Sequence, residues 1–210
     1  MKTAEFWTWF QQNEWEIRCA IMAKDEKEYN VICRLFEYLN YISPDLTCEL
    51  RHLKRENIFI ITISCWGNCD AFLMVETLVE AAPKIANWKI KAFIEPEDDS
   101  SNIFFTPYPL FSWNIIPNTI KFAIYNYDLD REIYEVLLLL PLFFCDKEEE
   151  RITEYFYNMF LDIWGEKFVG RRINDVYFTF NEDRENYFFL EIEDLHFLLN
   201  NFKSVMEFED

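Results

Sequence analysis

Few side chains in this chain have the type and spacing to do chemistry. In the stretch CWGNC, Cys65 and Cys69 stand close enough to share a metal, but a site needs two more ligands nearby. The only histidines are His52 and His196, and there is no second close cysteine pair. The spacing therefore predicts free, buried thiols and no metal. Two histidines also restrict triads: Ser64 or Cys65 would need His52 or His196 beside it with an orienting acid, and no nucleophile-elbow motif occurs. The three glycines, Gly67, Gly165 and Gly170, are too far apart for a local phosphate-cradling loop, so no nucleotide or other cofactor is expected.

Carboxylates are the remaining candidates. EPEDDSS (Glu95, Glu97, Asp98, Asp99) and NYDLDRE (Asp128, Asp130, Glu132) have oxygen donors for a hard cation. The second lacks the glycine and the span of a calcium loop, and both read as solvated acidic turns. Asp162 and Glu166, four apart, would share one helical face. They are the residues on which an alternative reading rests, an enzyme or small-ligand binder with a pocket between the two halves of the chain.

The elements that must position these residues follow from periodicity. Phe6, Phe10, Ile17 and Ile21 mark one face of a helix over 4–23, with Trp7 and Trp9 on its flanks and Trp15 on the opposite side. A second helix covers 25–42, capped by Asp25 and ended by Pro44. Strands follow at 46–53 and at 57–66, the second nearly all apolar and hence central. Asp70 caps a helix that stops near Pro83, and 87–96 alternates as a strand. The segment 97–118 is irregular, acidic at its start and rich in aromatic residues after it.

The second half repeats the order. Strands at 119–128 and 132–144 precede Asp146 and a helix over 147–164 ended by Gly165, then a strand at 175–181 and a closing helix at 191–208. ISCWGNCDAF and LFFCDKEE each place an Asp directly after a Cys behind an apolar strand. The fold class predicted is α+β: a single domain of two related ββαβ units, about 1–96 and 119–210, with largely antiparallel sheet and flanking terminal helices.

Composition sets the class of partner. Of 210 residues 51% are hydrophobic and 19% aromatic, enough for a large ring-built core. The formal net charge of -18 repels phosphate backbones and anionic headgroups, which argues against direct nucleic-acid or membrane binding; it would steer a basic protein partner to the surface or simply keep an aromatic-rich chain in solution. The first twenty residues hold no export signal, which predicts a cytoplasmic location. VLLLLPLFF (Val136 to Phe144) is too short to span a membrane and reads as a buried strand.

Aromatic residues then suggest the surface. Trp15, left over from the core-facing stripe, points to an interface with the 104–113 segment or with another protein. Phe105, Tyr108 and Trp113 join it as partner-binding candidates, together with the acids Glu97, Asp98 and Asp99. A homodimer held by the aromatic helix is compatible with either reading.

FWTWFQQNE, then ETLVEAAPKIANWKIKAF (76–93), then FLDIWGEKFVGRRINDVYF (160–178), taken in that order, resemble an uncharacterised family of bacterial cytosolic proteins of unknown function. Leu161, Asp162, Gly165 and Glu166 match the family's Leu-Asp and Gly-Glu positions, and the excess of acid and Phe is this chain's own departure. The resemblance brings no activity with it. The reading is a non-enzymatic, acidic interaction module, in one form an immunity-type protein that neutralises a basic bacterial toxin.

Overall fold

The computed structural model describes residues 2–23, 29–96, 104–105, 107–110, 113–180 and 187–206. The chain divides into two units, Met1–Ile94 and Glu95–Asp210. Helices and strands mix in both, an α+β protein with two main sheets and flanking helices.

The first unit runs α1 (Lys2–Ala23), α2 (Tyr29–Ile42), β1 (Thr47–Leu53), β2 (Ile58–Ser64), α3 (Phe72–Glu80) and β3 (Trp88–Ala92). β1 and β2 form an antiparallel hairpin closed between Leu53 and Ile58, with Asn57 in the left-handed region at φ 52°, which Asn tolerates better than most residues. β3 joins β2 in parallel, because α3 returns the chain to the same end of the sheet. β2 is central and correspondingly apolar on both faces.

The α1 stripe docks as its spacing predicts. Phe6, Phe10 and Ile17 are fully buried with Leu35 and Leu39 of α2, Ile61 and Ile63 of β2 and Val75 of α3. Each such side chain contributes about 1.5–3 kcal/mol by leaving water. Trp7 is more than an edge seal: it is buried, and its indole N–H donates to the Leu78 carbonyl at 2.7 Å. Asp70 does not cap α3. A 3-10 turn over Cys69–Ala71 intervenes, its backbone held by Asn68, whose side chain accepts from the Asp70 N–H, and Ala71 precedes α3 without a side-chain cap.

The second unit contains β4 (Tyr108–Leu110), β5 (Trp113–Ile115), β6 (Lys121–Asp128), β7 (Ile133–Leu139), α4 (Glu149–Trp164), α5 (Glu166–Arg172), β8 (Ile173–Thr179), β9 (Leu190–Glu191) and α6 (Leu195–Met206). Its main sheet has the order β8-β7-β6-β9, with β6 antiparallel to β7 and to β9, and β8 parallel to β7. Part of the stretch expected to be irregular is ordered: β4 and β5 pair antiparallel. The apolar run Val136–Phe144 is not one buried strand. β7 stops at Leu139, Pro141 lacks a ladder donor, and a 3-10 turn over Leu142–Phe144 leaves Leu142 and Phe143 exposed. Asp146 does not cap the following helix either; Glu148 stands at that position and makes no capping bond.

All six cysteines are free thiols, but only Cys48 and Cys65 are buried; Cys33, Cys69 and Cys145 are exposed. Among the described residues no helix is long and apolar enough to cross a membrane.

Candidate functional site

Asp162 and Glu166 do not share a helical face. Between them Gly165 adopts φ 82° and ψ 149°, a conformation open to glycine alone, and this breaks the run into α4 and α5. The Gly165 N–H bonds back to Leu161 at 2.8 Å, and its carbonyl accepts the Val169 N–H at 3.1 Å, which starts α5. A side chain there would also meet Pro96, whose Cδ lies 2.8 Å from where a Cβ would stand.

Separated in this way, the two carboxylates have different surroundings, and Asp162 is taken up by the framework. Asp162 Oδ2 accepts the Tyr108 hydroxyl at 2.5 Å. The Tyr108 carbonyl in turn accepts the Tyr155 hydroxyl at 2.9 Å, and the two rings meet edge to face at 5.6 Å. β4 is thus clamped on α4 through both ends of one tyrosine. Burial pushes the Tyr155 hydroxyl up to about 12, against a backbone hydrogen bond at Ile115 that lowers it. Tyr108, expected at a partner surface, is buried, with its ring and hydroxyl both engaged. Glu166 is fully buried and offers a ligand no surface.

Trp15 lies where its position in the helical repeat puts it, on the side of α1 away from the core, 63% exposed. Its ring packs against Arg18, which is itself held by several neighbours. The Arg18 guanidinium sits 5.2 Å from the Trp15 ring centroid and 5.7 Å from that of Phe59, and Phe59 stacks on His52 at 4.2 Å. Arg18 donates to Glu14 at 2.7 Å, and Glu14 also accepts the Trp88 indole N–H at 3.0 Å. The guanidinium is thereby fixed with its charge matched, and Trp15 is presented as a positioned ring.

Phe105 is 57% exposed, and Trp113 lies on β5 with its side chain outside the described atoms. Glu97, Asp98 and Asp99 lie outside the described residues. Among those described, no group of three His, Cys, Asp or Glu side chains gathers within reach of one metal ion.

Sequence reasoning missed a second aromatic surface. In the main sheet of the second unit, Tyr125 of β6 meets Tyr177 of β8 with ring centroids 4.8 Å apart, and Tyr187 stacks on Tyr125 at 5.9 Å. The sheet register shifts between Ile124 and Asn126, which leaves Tyr125 as the extra residue of a bulge. Bulges re-aim side chains, and this one lets Tyr125 reach across β7. The register sets Tyr177, Leu137 and Ala123 in one row, with Leu137 and Ala123 both buried. Glu135 and Asp175 form the neighbouring pair on the same face. The alternations IYNYD and DVYFTF hinted at outward tyrosines, but not that two strands would bring them together.

An acidic depression lined by Glu148, Glu149, Glu150 and Glu154 opens over the first turn of α4. Acids there suit the helix dipole, which accounts for them without a ligand. No family model, curated protein or solved structure matches the chain.

Proposed function

We propose that this chain is a non-enzymatic, acidic protein-interaction module that engages a basic partner, in one version an immunity-type protein that neutralises a basic bacterial toxin. The observation that carries the reading is Trp15, an indole 63% exposed and held in place by Arg18 on a chain of net charge -18. A positioned, solvent-facing Trp is the kind of side chain that anchors interfaces, and the surrounding field attracts cationic partners and speeds encounter. A cytoplasmic location and membership of the uncharacterised bacterial family belong to the same proposal. So does descent of the two units from one ββαβ element, supported by the order shared by both: hairpin, helix, then parallel strand.

The enzyme or ligand-binding alternative has less support. Tyr108 occupies Asp162, and Glu166 is buried.

Affinity capture of the tagged chain from its native cells tests the reading, at moderate salt and again at high salt, where exposed charges are screened. The expected result is one basic protein in stoichiometric amount, released by high salt and held about tenfold or more weakly by Trp15→Ala. Recovery of the chain alone, or binding indifferent to both salt and Trp15, would overturn it.

A further inference from the structure

The tyrosine face of the second unit combines two features that each call for a cation. The first is aromatic. Tyr125 and Tyr177 are 43% and 41% exposed, and the Tyr187 ring extends the surface they form. Aromatic faces carry negative quadrupole charge and attract ammonium and guanidinium groups within about 6 Å of the ring centre.

The second feature is electrostatic. Glu135 and Asp175 are cross-strand neighbours on that same face, and like charges so placed destabilise a sheet. Among the described residues neither carboxylate makes an ion pair. The Asn174 side-chain amide donates to Asp175 at 3.0 Å, and Arg131, which lines one depression with Glu135 and Asn174, pairs with Asp128. The field reaches the rings: Asp175 is the largest cause of the upward shift of the Tyr177 hydroxyl, and Glu135 adds to it. An acid pair with no ion-pair partner among the described residues, beside exposed rings, is complementary to a positive side chain with an apolar stem.

We propose that the tyrosine face docks a lysine- or arginine-bearing segment of a basic protein, its cation over Tyr125 and Tyr177 and its charge toward Glu135 and Asp175. The inference rests on the reading of this chain as an interaction module and specifies a surface and a partner chemistry for it. The aliphatic stem of the incoming side chain would cover ring surface that water now covers, while its charge relieves the repulsion between the two acids.

Deca-arginine peptide, titrated calorimetrically into the full chain at moderate salt, separates this inference from generic charge attraction. Tyr125→Leu with Tyr177→Leu keeps apolar area and net charge but removes the quadrupoles, and should weaken binding about tenfold, at roughly threefold to fivefold per ring. Tyr125→Phe with Tyr177→Phe keeps the rings and should bind within about twofold of the parent. Glu135→Gln with Asp175→Asn should weaken binding at least as much as the leucine pair, and decides the matter if the leucine pair does not fold.

Binding by the parent that the leucine and amide pairs both leave within twofold overturns the inference; if Trp15→Ala still weakens it, the interaction reading stands. A chain that binds no deca-arginine even at low salt overturns both. A parent that sediments as a dimer, and a leucine pair that sediments as a monomer, would assign the face to a second copy of this chain and overturn the inference as well.

Discussion

Tyr155 and Tyr177 belong to the same unit and meet opposite surroundings. The Tyr155 ring is fully buried against Tyr108, Phe144 and Phe156, and its hydroxyl is spent on the Tyr108 carbonyl. Tyr177 stands 41% exposed on the sheet, and the carboxylate of Asp175 governs its hydroxyl. Both hydroxyls resist ionisation, the first because burial disfavours its charged form and the second because acids surround it. The same residue type thus serves as framework in one place and as an available surface in the other, and hydrogen bonding and exposure tell which.

Substitutions sharpen that contrast, and the largest effects belong to the framework. Phe156→Ala, in the wall around Tyr155, should cost about 3–5 kcal/mol in chemical denaturation. Gly165→Ala places a Cβ against Pro96 in a backbone conformation reserved for glycine, and should cost about 1–3 kcal/mol or more. Tyr155→Phe deletes one buried hydrogen bond and should cost about 1 kcal/mol. On the exposed side Tyr177→Leu and Trp15→Ala should move stability by no more than about 0.5 kcal/mol. If Tyr177→Leu destabilised the chain as much as Phe156→Ala, the tyrosine face would be core and the contrast would collapse.

The pH dependence divides the two tyrosines more finely. With a folded-state value of about 12 against 10 for an unperturbed phenol, Tyr155 contributes stability fully below pH 10. That contribution is lost as pH rises toward about 12, because the unfolded chain ionises first. Cys48, raised by burial from 9.0 to about 12, acts with the same sign from pH 9 upward. Unfolding followed across this range should show the parent losing more stability than Tyr155→Phe. Ultraviolet titration should show Asp175→Asn bringing the Tyr177 hydroxyl back toward its ordinary value, which Tyr155 would not follow.

The first unit was legible because its signals are local. Phe6, Phe10 and Ile17 recur at helical spacing, and β2 is apolar on both faces because it is central. Legibility failed where a short 3-10 turn or one glycine re-routes the chain. Asp70 and Asp146 looked like caps because an acid preceded an apolar helix, yet turns displace both helix starts. Asp162 and Glu166 are four apart, and only the backbone at Gly165 shows that they belong to two helices. Trp15 was readable as an outward residue from its place in the repeat. The tyrosine face was not, since Tyr125 and Tyr177 lie far apart in sequence and meet through strand register and a bulge.

Exposed aromatic residues that meet a basic protein are central to the proposed function. A photo-cross-linking phenylalanine analogue placed at Tyr177, and separately at Trp15, would test this in the native cells, with Leu73, 74% exposed on α3, as the control position. The expected result is an adduct with one basic protein from Tyr177 and from Trp15, weakened at high salt, and none from Leu73. Adducts of equal yield from all three positions, or only with a second copy of this chain, would contradict it.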